Sequence, residues 1–208
     1  MDQAVIPLGE PQPERADAAR NRRHLLATAR EMVAELGVEK VTMDRLAERA
    51  CLGKGTVFRR FGTRAGIFRA LLDDDETAFQ QSVLSGLPPL GPGAEPVERL
   101  IAYGRARICF LYEHHALARA ALDGNEPIPV GARNTSQLHI RMLLGCAAHG
   151  AGRAGLRGAD LDTLAVQLTA ALEAPMLLFL NAPRQRETPE LIRRMADGWQ
   201  DLVERVCG

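Results

Sequence analysis

Apolar positions along this 208-residue chain recur at steps of one, three and four rather than two, which is the period of helices that bury one face. From Asp17 the first such pattern takes in Leu25, Leu26, Ala29, Met32, Val33 and Leu36, and Gly37 follows where a helix C-cap is wanted. Thr42 is placed to cap a second helix, with Asp44 in its electropositive first turn and Leu46, Ala47 and Ala50 on its inner side. That helix stops near Cys51. Lys54–Phe61 form a third, short helix, and Thr63 caps a fourth whose apolar face is Ile67, Phe68, Leu71 and Leu72. The segment SGLPPLGPGAEP (85–96) holds four prolines and three glycines and reads as a linker. Beyond it, amphipathic patterns occupy about 96–122, 134–149, 160–181 and 188–206. No stretch alternates apolar and polar residues long enough to predict a strand, and no internal repeat is present. The pattern predicts an all-α chain with a flexible arm at 1–16, a small helical domain at 17–66 and a larger one at 67–208.

Composition changes this picture little. Hydrophobic residues make up 46% and charged residues 25%, as in ordinary globular proteins. The net charge of zero is unevenly spread: residues 1–66 carry 12 Lys/Arg against 9 Asp/Glu, and residues 67–208 carry 14 against 17. The front surplus points weakly to an anionic partner. Cysteines at 51, 109, 146 and 207 lack the spacing of a zinc ribbon or a disulfide framework, which suits reduced thiols and a cytoplasmic setting. The first twenty residues have no basic lead and no apolar core of signal-peptide length. The run Ala174–Leu180 is too short to cross a bilayer, so no membrane role is expected.

One short stretch carries the chemistry. LGKGTVFRRFG (52–62) sets a Lys and a Thr among glycines, as a phosphate loop does. A nucleotide-binding P-loop needs Gly-x4-Gly-Lys-[Ser/Thr] between a strand and a helix. Here Gly55 separates Lys54 from Thr56, position 48 is Glu, and the preceding segment is helical. The nucleotide reading fails. Helix, four-residue turn and helix within about twenty residues is instead the spacing of a helix-turn-helix. With Val57 and Phe61 facing inward, about 100° per residue turns Gly55, Thr56, Arg59 and Arg60 outward. Gly55 removes bulk for close approach to a major groove, and Thr56 and Arg59 can reach base edges. Lys54, Arg60 and Arg64 suit phosphates, as do Thr42 and the amides it caps. A helical hairpin whose arginines merely solvate a surface is the alternative.

VTMDRLAERA and LGKGTVFRRFGTRAGIF, with the Gly37 break before them, resemble the DNA-binding domain of the tetracycline-repressor (TetR) family over residues about 20–70. The resemblance implies an all-helical homodimer, usually a repressor. Its rear domain would bind a small ligand that weakens its hold on a palindromic double-stranded operator. Two residues depart from the family pattern. At the turn, Ala50-Cys51-Leu52 stands where Ala-Gly-Val is common, and a non-glycine residue at positive φ costs about 1 kcal/mol there. Cys51 reads as a tolerated substitution, with a thiol sensor as the alternative. Phe58 stands where Tyr is frequent and lacks the hydroxyl that would reach a phosphate, so it keeps packing or an apolar contact.

The resemblance also implies that rear helices enclose the ligand. Tyr103, Arg107, Phe110 and His114 share one side of the helix after Pro96. Met142 and Cys146 follow on the next, and Leu172, Met176 and Phe179 on the third. Methionines and aromatics with a few charges suit an apolar or amphipathic small-molecule effector. Each residue taken singly is equally at home in a core. Arg107, Arg141 and Glu173 carry more information if buried. No metal site is expected, since Cys146, His149 and His139 lack a second close pair. No cofactor and no catalytic motif appear, so an enzyme is not expected. A small helical enzyme or carrier holding an apolar molecule is the alternative from another class. The last two helical patterns are apolar over more than one face, with Pro175 placed to kink the first. They supply a dimer interface through Leu168, Leu177, Leu191, Met195, Trp199, Leu202 and Val206.

Overall fold

The computed structural model describes residues 13–122, 135–150, 154–181 and 189–208, with side chains described in 17–122, 135–150, 155–173 and 189–208. Among these residues every element of secondary structure is a helix. In order come α1 (Pro13–Leu36), α2 (Met43–Arg49), α3 (Lys54–Phe61), α4 (Arg64–Ser85), α5 (Pro96–Glu113), α6 (His115–Leu122), α7 (Thr135–His149), α8 (Leu161–Asn181) and α9 (Pro189–Cys207). No helix among the described residues is long and apolar enough to cross a membrane.

The chain divides into two compact units, one closing at Leu71 and the other running from Leu72 to Gly208. The division falls inside α4, five residues beyond the sequence expectation, because Ile67, Phe68 and Leu71 are wholly buried in the first unit. α1 already begins at Pro13, inside the span 1–16 expected to be an arm, and the fixed φ of proline suits a first helical turn; residues 1–12 lie outside the described residues.

The first unit closes on Leu25, Leu26, Ala29 and Met32 of α1, Leu46 and Ala47 of α2, Val57 and Phe61 of α3, and the first two turns of α4. Burying one such leucine contributes roughly 1.5–3 kcal/mol. Leu36, predicted on the inner stripe, is 39% exposed at the last residue of α1.

In the second unit α5 is the central helix and lies against α7, α8 and α9. Its buried residues Val97, Leu100, Tyr103, Gly104, Ile108 and Leu111 merge the two stripes read from the sequence. Gly104 permits a close approach: a Cβ there would stand 2.0 Å from the ring of Trp199. The indole N–H donates to Leu100 O at 3.1 Å, so the only tryptophan is anchored in its own subunit. The segment 85–96 joins α4 to α5 within this unit, with Leu90 packed against the core. The 96–122 pattern is broken at His114, where α5 ends and α6 begins. α8 runs through Pro175.

His139 on α7 is 7% exposed, its ring is 4.8 Å from that of Tyr103, and Nε2 has no hydrogen-bond partner. Burial, with the positive charge of Arg99 as a lesser cause, lowers its pKa from 6.5 to about 4. A histidine depressed in the folded state binds its proton more readily when unfolded, so its contribution is intact above 6.5 and is lost as pH falls toward 4. Thermal melts of wild type and His139→Leu across that window should show the wild-type midpoint falling more steeply. Parallel curves would contradict this reading of the imidazole.

Candidate nucleic-acid interface

α2 begins behind Thr42, whose Oγ1 accepts the Arg45 amide at 3.2 Å. Leu46 and Ala47 face inward. The helix closes with the amide of Leu52 on Ala47 O (3.0 Å) and that of Cys51 on Glu48 O (3.1 Å), the paired bonds of a Schellman cap. Such a cap needs a left-handed residue, and Cys51 supplies it at φ 53°. His24 of α1 holds the same turn through Nε2, 3.0 Å from Ala50 O. A carbonyl only accepts, so Nε2 carries the proton. Arg49 forks onto Glu35 at 2.6 and 2.7 Å, tying α2 to α1. That contact lowers the Glu35 pKa and raises that of Arg49. The pair is exposed and screened by solvent.

α3 inserts Val57 and Phe61, 0% and 9% exposed, into the first unit. Gly55, Phe58, Arg59, Arg60 and Lys54 are exposed, and Thr56 is half-buried. A Cβ on Gly55 would meet nothing within 4 Å, so the fold itself does not require glycine there. Phe58 is 65% exposed. Arg59 has no hydrogen bond or ion pair among the described residues. Lys54 pairs with Asp44 at 2.8 Å, and Arg60 donates to Ala18 O at 3.0 Å. Both contacts are exposed ones that phosphate could replace.

Arg64 departs from the expectation of a phosphate contact. Its Nε and Nη2 donate to Val41 O (2.8 Å) and Val38 O (2.7 Å), and its guanidinium lies 4.8 Å from the centre of the Phe68 ring. It fastens the start of α4 to the turn before α2. No sequence signal marked this role, or those of His24 and Glu35, because all three act through contacts 14 to 26 residues apart.

The predicted ligand residues separate into two groups. Tyr103 is fully buried and donates to Ser136 Oγ at 2.7 Å; burial raises the pKa of its phenol. Arg107 pairs with Glu76 at 2.5 Å. His114 stacks on Phe110 at 4.2 Å and faces Asp75 at 3.2 Å. Leu172 is buried in the core. Met142 (46% exposed) and Cys146 instead lie on the outer side of α7, whose inner side is Ser136, His139, Ile140, Leu143, Leu144 and Ala147. α7 is apolar on both sides, so periodicity alone assigned the wrong one. The side chains of Met176, Phe179 and Leu177 lie outside the described residues. Arg141 is half-buried against Asp162 and Glu173 is exposed. Asp75, Glu76 and Phe79 were missed, although the acidic run Asp73–Glu76 inside an amphipathic helix was a usable signal.

Of the dimer candidates, Trp199 and Leu168 are 4% and 2% exposed within their own subunit, because Gly104 and the core around α5 already occupy them. Leu191, Met195 and Val206 are half-buried and Leu202 is exposed. Met195 and Leu202 line a shallow hollow of about 190 Å³ with Ile108, Ala171, Gly198 and Trp199.

Cys51 is exposed, so replacing it removes no packing and relieves the left-handed strain. Cys51→Gly should raise stability by up to about 1 kcal/mol in denaturant unfolding, less whatever the freer unfolded chain gives back. A destabilised variant would contradict the strained-cap reading.

Residues 25–71 match the family described as bacterial regulatory proteins, tetR family. An HTH-type transcriptional repressor of Mycobacterium tuberculosis is 31% identical over 155 residues, covering 74% of this chain and 73% of the relative. A TetR-family transcriptional regulator from Pectobacterium atrosepticum, of known structure, shares the fold with a TM-score of 0.65 at 20% identity, covering 92% of this chain and 94% of that one. So does AibR, solved in complex with isovaleryl coenzyme A and operator DNA, with a TM-score of 0.54 at 17% identity, covering 90% and 98%. Its helix-turn-helix and its similarity to the mycobacterial repressor together establish that the chain belongs to the tetR family of bacterial transcriptional regulators.

Proposed function

We propose that this regulator is a repressor that binds a palindromic operator as a homodimer and releases it when a small amphipathic effector enters the second unit. The observation that carries the DNA contact is the outer side of α3. An open space at Gly55, an exposed Phe58 and an unengaged Arg59 have no role in holding the fold together. A major groove accounts for all three. Missing bulk admits the helix, Phe58 offers an apolar contact, and Arg59 forks onto a base edge with Thr56 beside it. Lys54, Arg60 and the amides near Thr42 meet phosphates.

The repressor sense is supported by the mycobacterial relative, itself a repressor. The effector is supported by AibR, solved with both an acyl-coenzyme A and operator DNA, and by the Arg107–Phe110–His114 side of α5. Release requires the effector to bind the DNA-incompetent arrangement more tightly than the competent one. Dimerisation is assigned to the outer side of α8 and α9, where Val166 is 51% and Leu202 37% exposed, and no longer to Trp199.

Operators selected from random duplexes, then measured by mobility shift, test the DNA reading. Arg59→Ala should cost about 1–3 kcal/mol and relax base preference at one position. Gly55→Ala should stabilise the protein by roughly 0.5–1 kcal/mol yet weaken operator binding. Arg64→Ala should lower stability by about 1–3 kcal/mol and leave the salt slope unchanged, whereas Lys54→Ala or Arg60→Ala should reduce that slope by about one. Wild-type affinity in both Arg59→Ala and Gly55→Ala would refute the assigned face.

Assembly has its own check. Sedimentation should give a dimer for wild type and a weakened dimer for Leu202→Glu, with operator affinity falling in parallel, since one subunit reads only half a palindrome. A monomeric wild type at micromolar concentration would remove the dimer from the proposal.

A further inference from the structure

We propose that the effector is an amphipathic carboxylic acid whose carboxylate displaces Glu76 from Arg107 while its apolar body lies along the half-buried rings of Phe110 and Phe79. This rests on the ligand-responsive reading above and names the chemistry of its ligand.

The argument for an anion comes from which member of the ion pair is free to leave. Arg107 is 15% exposed and its guanidinium lies 5.5 Å from the Phe79 ring and 5.1 Å from the Phe110 ring. Stacked on two aromatic rings, it is held by contacts that do not depend on its carboxylate. Glu76 is 36% exposed, and its other oxygen already accepts from Gln80 Nε2 at 2.8 Å. If Glu76 swings outward it meets water and keeps Gln80, whereas Arg107 would lose both rings. The desolvation of the cation is already met in the unliganded protein. An incoming carboxylate therefore exchanges for Glu76 without burying a new positive charge. A cationic ligand would have to expel Arg107 or pair with a half-exposed carboxylate. A neutral one would leave the existing pair intact.

The argument for an apolar body comes from the rings beside that cation. Phe79 stands 5.1 Å from Phe110 and 5.9 Å from Tyr103, and Tyr103 stands 4.8 Å from His139. The row is continuous, and Phe79 and Phe110 are only half-buried, so their remaining faces are open to an apolar chain. At its far end Nε2 of the buried His139 has no hydrogen-bond partner. A buried polar atom left unpaired is a standing cost that a ligand hydroxyl, able to donate or accept, would remove. Cation at one end, rings between, unpaired imidazole at the other: the sequence of chemistries fits a hydroxy acid.

The test is isothermal titration calorimetry of the full chain with octanoate, ω-hydroxyoctanoate, octanol and octylamine, with acetate as the acid lacking an apolar body. Octanoate should bind at least about tenfold more tightly than octanol or octylamine, the worth of one charge-assisted contact. Acetate should not bind measurably, and the ω-hydroxy acid should be the tighter of the two acids. Arg107→Gln should abolish the preference for acid over alcohol. Glu76→Gln should tighten octanoate binding several-fold, because the internal competitor is gone, an effect that a purely structural ion pair would not give. Equal binding of acid and alcohol, no binding of octanoate, or a Glu76→Gln variant no tighter than wild type overturns the proposal. Operator binding without any acid is scored separately. Its failure beside intact acid binding would sink the repressor reading and leave the acid site standing.

Discussion

The surface proposed to face DNA depends on a single commitment, the complete burial of Val57. An eight-residue helix has little freedom of rotation once one residue is wholly inside, and Phe61, four positions on, fixes the same side. Everything functional on α3 follows by subtraction. Positions 55, 58 and 59 cannot also be inside, so whatever stands there is chosen by water or by a partner. Water would favour alanine over glycine and a polar residue over phenylalanine at those sites. The chain holds glycine and phenylalanine instead, which supports the proposal that the surface meets a partner.

The same unit gives up stability at the turn that aims α3. Cys51 occupies a left-handed position where a side chain is disfavoured by roughly 1–2 kcal/mol. The turn persists because it is over-determined: two cap bonds, the His24 ring on Ala50 O and the Arg49–Glu35 fork all converge on it. None of these is strong in isolation, and the last is exposed. Together they leave the α2–α3 angle little latitude, which is what a helix seated in a groove of fixed width requires.

How much of this was legible in the sequence varied with the kind of interaction. Helices α2 and α3 and their inner residues could be read directly, because Leu46, Ala47, Val57 and Phe61 repeat with the helical period and sit between recognisable caps. The outward residues followed from the same period. Arg64 could not be read, since an arginine near a basic helix looks the same whether it meets phosphate or the carbonyls of Val38 and Val41. In the second unit the period was ambiguous. α7 has apolar residues on both sides, so Met142 and Cys146 were placed inside when Ile140 and Leu143 occupy the core. Trp199 lies on a stripe that fits either a dimer seam or its own core. Only Gly104, ninety-five residues away and shaped to receive the indole, distinguishes them.

The two units also differ in how they hold charge, and this difference bears on regulation. In the first unit Arg64 grips backbone carbonyls and the Arg49–Glu35 pair is exposed to water, arrangements that a ligand has no reason to disturb. In the second, α4 meets α5 through the Glu76–Arg107 ion pair, with His114 facing Asp75 beside it, set among aromatic rings. An apolar seam of the same size would be stable and indifferent to polar ligands. A half-buried ion pair contributes less net stability, because desolvation offsets much of its attraction. It can, however, be exchanged for another pair of the same charge with little change in desolvation. Glu76 lies on the helix that begins two residues after Gly62, the cap that ends α3.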